Sequence, residues 1–296
     1  MKVVTKNMLV VSRVMLVSVF TNIFLAILKL ICGVLYKSSA LVADGIHSFS
    51  DLVTDFCAIL GSHLAHRPAD DEHPYGHGKL EYLTSMVIGL VILVLGFNII
   101  YTSIDKKVVI PSIMVAFISM ITVIVKYILS FYVIKKGKEH RNSILIASGI
   151  ESRTDCLSSI VVLVSALLSQ FSNVFPILKY ADLVATIIVG IFIVKVGLNT
   201  LKENMNMILG EQENDPEYLE QLSKTILKKQ EISHIDELYL MKYGYYYQLQ
   251  VTISMDANIT LKKAHEIVDE LEARIQKKYP KIQYINVHME PDDEKD

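Results

Sequence analysis

Long apolar runs fill the first two thirds of the chain and then stop. They extend from about Met8 to Leu35, Ser39 to His66, Leu80 to Ile104, Pro111 to Ile134, Ser143 to Ser169 and Leu178 to about Ile208. About 20 predominantly apolar residues suffice for a helix to cross about 30 Å of hydrocarbon. The pattern therefore predicts six membrane spans, of which the second and fifth carry polar interruptions. After Gly210 the chain becomes charged, with short alternating apolar segments. Pro216 after Asp215 opens a helix to about Lys229. Ile235 to Tyr243 alternates as a strand, and Gly244 turns it into Tyr245 to Ser254, where Tyr247, Leu249, Val251 and Ile253 share a face. Thr260 caps a helix from Leu261 to Tyr279, and Gln283 to Met289 reads as a last strand. The expected fold is a polytopic α-helical membrane protein: six transmembrane helices in residues 1–210, then a C-terminal cytosolic α+β domain of order αββαβ in residues 211–296.

Composition agrees. Hydrophobic residues make up 52% of the chain and charged residues 20%, below the roughly 25% of soluble proteins. Seven prolines and thirteen glycines are too few for a disordered or collagen-like chain. A net charge of −2 leaves no basic footprint, so nucleic acid is not an expected partner. The first apolar run is too long for a signal h-region and lacks a small-residue cleavage site, so no cleavable signal peptide is expected. With the N-terminus in the cytoplasm, that side carries Lys2, Lys6, Arg13, Arg67, Lys79, Lys135, Lys136, Lys138 and Arg141, against Lys37, Lys106, Lys107 and Lys179 opposite. That bias predicts both termini inside. Cys32, Cys57 and Cys156 lie in spans without CxxC spacing and read as packing residues.

Ionisable residues at membrane depth are costly, so a functional role is their default reading. In the second span, which also contains Asp44, the residues His47, Asp51 and Asp55 are each four apart and stack on one helix face. In the fifth, Glu151 and Asp155 are also four apart, and Arg153 points elsewhere. Two helices each offering such a pair suit a tetrahedral divalent-metal site built from His47, Asp51, Glu151 and Asp155. The structural alternative is a polar cluster joining two helices, with Arg153 neutralising an acid. A membrane hydrolase using His47 with an acid is a third reading, without a nucleophile motif or HExxH to support it. In the loop after the second span, Asp70, His73 and His77 have spacing compatible with a metal site or with a solvated polar turn. His288 and Glu290 alternate on one face of the last strand, an arrangement that strand ends often carry without a metal.

Taken together, the six spans, the HxxxD of the second, the ExxxD of the fifth, the stretch from Arg67 to Lys79 (RPADDEHPYGHGK) and His288-Met-Glu-Pro291 resemble the cation diffusion facilitator family over essentially the whole chain. The resemblance implies a divalent-metal/proton antiporter rather than an enzyme, often homodimeric, in the plasma (inner) membrane, with a metallochaperone-like cytosolic domain. Its partners would be divalent metal ions, protons and the bilayer. No resident cofactor is implied beyond the transported ion and a regulatory metal in the cytosolic domain. His47, Asp51, Glu151 and Asp155 match the family's transport site, and Asp70, His73 and His77 its interfacial site. His288 and Glu290 match cytosolic ligands, with Asp236 and His265 at further ligand positions. Three features depart from the pattern. Glu151 stands where zinc-type members commonly have histidine, which moves preference towards Mn²⁺, Fe²⁺ or Co²⁺ without excluding Zn²⁺. Thr252 replaces an expected bridging histidine. Gly210 lies near the acid that some members pair with the loop lysine, so Glu211 or Glu213 would have to meet Lys79. The main alternative function is a metal-sensing or scaffold membrane protein that dimerises through its cytosolic domain without transport.

Overall fold

The structure, a computed structural model, describes residues 2–105, 108–140 and 142–292. Six long helices come first: α1 (Lys2–Leu35), α2 (Ser39–Ala65), α3 (Leu80–Ile104), α4 (Ile113–Glu139), α5 (Ser143–Gln170) and α6 (Ala181–Ile208). Five of them are long and apolar enough to cross a membrane; α2 is the exception. Its shortfall comes from the same acids and histidine that give it chemistry. Large apolar side chains such as Phe20, Phe24, Phe97, Phe117 and Phe131 are exposed on these helices, as a lipid-facing surface requires.

The described chain forms two compact units, one of residues up to Phe56 with Ile88–Thr200 and one of Cys57–Val87 with Leu201 onward. In the first, Asp182 of α6 accepts from Ser38 Oγ (2.6 Å) and from the Ser39 amide (2.9 Å), so it satisfies the N-terminus of α2. Ser112 and Asn142 cap α4 and α5 through their side chains. Gly137 and Gly149 let α4 and α5 approach until a Cβ at either would meet the other helix, and Ser130 Oγ donates to the Gly149 carbonyl (2.7 Å). Such small-residue contacts replace the hydrophobic driving force that lipid removes. Val14, Leu129, Val133 and Leu145 bury a core shared by α1, α4 and α5.

In the second unit, α7 (Pro216–Ile226), β1 (Ile232–Tyr243), β2 (Tyr246–Met255), α8 (Leu261–Lys278) and β3 (Ile282–Pro291) follow the expected αββαβ order. Asp215 caps α7 and Thr260 caps α8 through side-chain oxygens. The sheet order is β1-β2-β3, with β1 antiparallel to β2 and β3 parallel to β2. The parallel pairing requires the crossover that α8 supplies. Leu222 and Ile226 of α7 and Ile267, Leu271 and Ile275 of α8 close over Leu240, Leu249, Val251 and Ile253 of the sheet. The helix α7 ends at Ile226, short of Lys229, and β1 starts earlier than Ile235 because Ile232 pairs with Met255.

The loop from His66 to Lys79 belongs to the same unit and is held by the β1–β2 hairpin. The His66 ring stacks on Tyr245 (centroids 3.8 Å apart, 3° between planes). The Tyr246 hydroxyl donates to the Tyr75 carbonyl and accepts from the Gly78 amide (3.3 Å). Burial pushes the Tyr246 phenol above its usual pKa, so it stays a donor. The Gly244 amide, in the left-handed turn (φ +68°), donates to Tyr82 Oη (2.7 Å). Neither acid expected to meet Lys79 does so: Glu211 pairs with Lys242 (3.2 Å) and Glu213 accepts from Tyr247 Oη (2.8 Å). Lys79 Nζ instead donates to the Ile208 carbonyl (3.2 Å) and lies 5.0 Å over the Tyr243 ring. A carbonyl at a helix C-terminus and a π-face supply the partial negative charge that the carboxylate was expected to give.

A Cβ at Gly78 would run into the Tyr243 carbonyl and the Tyr243 and Tyr246 rings. Gly78→Ala is expected to release the loop and speed tryptic cleavage at Arg67 and Lys79 at least about tenfold, a loss of about 1.4 kcal/mol of closure. Unchanged cleavage in the purified protein would show that the hairpin does not hold the loop.

Candidate metal centre

One turn of α2 separates His47 from Asp51, and α5 brings Asp155 against them. The ligand atoms of these three side chains all lie within 4.8 Å of one another. His47 Nδ1 is 3.8 Å from Asp51 Oδ1. That nitrogen is buried and makes no hydrogen bond among the described residues, which is unusual for a buried polar atom without a ligand or functional role. Ligands about 2.0–2.2 Å from a zinc-sized ion stand about 3.4 Å apart in a tetrahedron. A closure of about an ångström would therefore place all three on one ion. Glu151 is not part of this triple; it is exposed and lines an adjoining cavity of about 30 Å³ with Asp51, Asp155 and Lys126. The side chain of Asp55 and that of Cys57 lie outside the described residues.

Two lysines complete the electrostatics, and sequence reasoning missed both. Lys126 of α4 is 2% exposed and its Nζ lies 3.1 Å from Asp155 Oδ2. Lys29 of α1 is fully buried, 2.8 Å from Asp44 Oδ2, and also donates to Ser48 Oγ (3.0 Å) and Ser159 Oγ (2.8 Å). Asp44 in turn accepts from Ser158 (2.6 Å) and Ser159 (2.8 Å). The available signal was a single lysine inside each of two apolar runs. Arg153, the cation expected to neutralise an acid in a purely structural cluster, instead lies 5.7 Å over the Tyr127 ring.

The loop triad is also gathered: Asp70, His73 and His77 offer ligand atoms within 4.8 Å of one another. Asp70 Oδ1 accepts from the His73 amide (2.7 Å) and the Glu72 amide (3.1 Å). The His73 amide, ahead of the side chains nearby, holds the exposed Asp70 carboxyl below its ordinary pKa. His77 Nδ1 meets the Pro68 carbonyl at 3.1 Å. A carbonyl only accepts, so Nδ1 donates to it, and Nε2 is the nitrogen that faces Asp70 Oδ2 at 3.4 Å.

The cytosolic candidates are not gathered. Asp236 meets His234 (3.0 Å), a residue absent from the expected set, and accepts from Ser254 Oγ (2.6 Å). His265 pairs with Asp269 (3.6 Å) and His288 with Glu290 (3.6 Å). These are three separate pairs in the single chain. Thr252 is buried, in register with His288 on β3.

Residues 15–209 match the cation efflux transmembrane domain, and residues 214–292 match the cytoplasmic domain of cation efflux proteins. This chain belongs to the cation efflux family. It is thus an integral membrane protein of a family of divalent-metal transporters, also known as cation diffusion facilitators, and not of enzymes. The manganese efflux system protein MneP of Bacillus subtilis is 28% identical over 284 residues, spanning 94% of this chain and 95% of its own. An uncharacterized transporter of Methanocaldococcus jannaschii is 30% identical over 271 residues, 90% of this chain and 93% of its own. The magnetosome protein MamB of Paramagnetospirillum magneticum is 27% identical over 274 residues, 91% and 90% of the two chains. A solved structure of CzrB in a zinc form aligns with 29% of this chain and 98% of its own at 19% identity and a TM-score of 0.27.

Within this cation efflux protein, the Lys29–Asp44 pair is fully buried and hydrogen-bonded throughout. Removing one partner of such a pair leaves a stranded charge and costs about 3–5 kcal/mol, whereas replacing both with apolar groups costs little. Lys29→Met is expected to lower Tm in detergent sharply, and Lys29→Met with Asp44→Leu to recover most of the loss. A wild-type Tm in the single variant would show that the pair does not hold α1 to α2.

Proposed function

We propose that this protein exports divalent metal ions in exchange for protons, with His47, Asp51 and Asp155 as the transport centre and Glu151 as an adjoining ligand. The observation that carries the reading is a buried imidazole and two carboxylates within one ion's reach, inside a bundle of membrane-spanning helices. With all groups ionised, three carboxylates and the Lys126 ammonium leave two net negative charges. One divalent ion matches that charge. Metal binding needs deprotonated ligands, so the centre loses metal as protons bind. Open to the cytoplasm it takes metal and releases protons; open to the other side, protons displace metal. Exporting one M²⁺ for one H⁺ moves one positive charge outward, at about 2.3 kcal/mol per 100 mV. One pH unit supplies about 1.4 kcal/mol per proton, so stoichiometry decides whether efflux can be driven.

One imidazole with carboxylate oxygens is a harder site than one with two histidines, and favours Mn²⁺, Fe²⁺ or Co²⁺ alongside Zn²⁺. The name of MneP, a manganese efflux protein, supports including manganese. The Asp70, His73 and His77 triad is read as a second metal site. The cytosolic domain, residues 211–296, is read as a homodimerisation module with weak regulatory metal binding at Asp236, His265, His288 and Glu290. Lysine and arginine bias supports both termini on the cytoplasmic side of the plasma membrane. A sensor without transport would require only the cytosolic ligands, and these stand as separate pairs here.

The test is metal uptake into proteoliposomes across a panel of ions under a pH gradient. Wild type is expected to move Zn²⁺ and at least one of Mn²⁺, Fe²⁺ or Co²⁺. Asp51→Ala or Asp155→Ala should abolish uptake while the protein still inserts and dimerises; wild-type rates in either would remove these residues from the mechanism. Glu151→His should narrow the panel towards zinc, and an identical metal profile would show that Glu151 does not set selectivity. Lys126 is a resident cation on Asp155 that an incoming ion must displace or tolerate. Lys126→Gln is therefore expected to tighten Mn²⁺ binding in detergent at least about tenfold, with Lys126→Arg close to wild type. Weaker binding in the glutamine variant would contradict this electrostatic role.

A further inference from the structure

Away from the metal centre, α4 and α5 form an outward groove of about 480 Å³. Tyr127 and Phe131 line one part, Lys135, Lys138 and Glu139 another, and Arg153 reaches in from α5. We propose that this groove binds an anionic phospholipid, its phosphate held by Arg153, Lys135 and Lys138 and an acyl chain lying along Tyr127 and Phe131.

The position of Arg153 is the starting point. It lies about 15 Å along the helix axis from Ser143, where α5 begins. It is exposed, and its guanidinium packs only loosely over Tyr127 (5.7 Å). An arginine facing hydrocarbon is unfavourable unless it reaches the interface or meets an anion. Among the described residues no carboxylate forms an ion pair with Arg153, Lys135 or Lys138. The acid lining the groove, Glu139, is occupied by Lys136 (2.6 Å). Three cations thus border one cavity with a single carboxylate, Glu139, whose direct ion pair is with Lys136.

The layout selects a lipid over a free anion. Lys135 and Lys138 lie in the last turn or so of α4, about 16 Å along the axis from Tyr127 at the Lys138 end. Below them Phe131 is 68% exposed and Tyr127 54%. Arg153 starts about as deep as Tyr127, so its long side chain would have to reach up towards the lysines to meet a phosphate there, with the acyl chain lying along Phe131 and Tyr127; a soluble anion satisfies only the cations. Basic pockets between membrane helices on the cytoplasmic side recognise anionic headgroups by this division. Bidentate guanidinium–phosphate contact would favour arginine over lysine at the deepest position.

The experiment uses the full-length protein, delipidated in detergent and titrated with phosphatidylglycerol or phosphatidylcholine of identical acyl chains, with bound lipid counted by native mass spectrometry. Wild type is expected to retain phosphatidylglycerol at least tenfold more strongly. Arg153→Gln with Lys138→Gln should lose the preference, and Arg153→Lys should keep part of it. Lys135→Gln with Lys138→Gln, at an exposed helix end, gives the same reading should the Arg153 variants fold poorly. A photocrosslinker at position 131 should label phosphatidylglycerol. Equal retention of the two lipids, or an undiminished preference in both double variants, would overturn the proposal. Displacement of the lipid by millimolar inorganic phosphate would show a simple anion site, and crosslinking of position 131 to a second copy would assign the face to a protein contact.

Discussion

A charge in a membrane bundle has few places to go, and that constraint organises the helical unit. Water is absent, so each ionisable side chain must meet an opposite charge, a set of hydrogen bonds or an ion from outside. Lys29 and Asp44 meet each other and three serines, and both are sealed from solvent. Lys126 and Asp155 meet at 3.1 Å beside a small cavity. The helix positions of α1, α2, α4 and α5 follow from these pairings as much as from apolar packing. Lipid gives apolar side chains little reason to prefer a neighbouring helix.

The acids of the centre were legible in the sequence because their spacing is periodic. His47 and Asp51 lie one turn apart on a single helix, and a helix face can be read from a string of letters. The lysines were not legible in the same way, since each stands alone in its span. Only the tertiary structure brings Lys126 from α4 to Asp155 on α5, and Lys29 from α1 to Asp44 on α2. Arg153 was legible by the same periodicity: two residues along a helix from Glu151 or Asp155 is nearly the opposite face, and it turns towards Tyr127. Glu151 shares a helix face with Asp155 and lines the same small cavity, beside the three-residue cluster rather than within it.

In the second unit, alternation and caps gave the αββαβ order, because Asp215, Thr260 and the hairpin glycine act locally. What was not local was lost. Lys79 was expected to meet an acid after the sixth helix, yet Glu211 is drawn off by Lys242 and Glu213 by Tyr247. Burial makes the Tyr247 phenol a firm donor, its pKa raised above the usual range. The cytosolic histidines show the limit from the other side. Each keeps a partner close in sequence, His265 with Asp269 and His288 with Glu290, and the single chain does not bring those pairs together.

Two aspartates of one helix thus receive opposite treatment from the fold, and the difference separates structure from function. Asp44 has its carboxylate oxygens engaged by an ammonium and two hydroxyls and is fully buried. Such a carboxylate has nothing to offer an ion that a well-solvated metal would give up water for. Asp51, two turns on, lies within reach of a buried imidazole nitrogen that makes no hydrogen bond, and borders a cavity. Asp155 across from it is held by one lysine, a contact that an ion can exchange. A saturated pair fixes α2 in the bundle, and the cluster proposed as the transport centre lies on the same helix with a buried imidazole nitrogen that makes no hydrogen bond among the described residues. The polar content that makes α2 a poor membrane span is therefore divided between an anchor and the cluster proposed to take the ion.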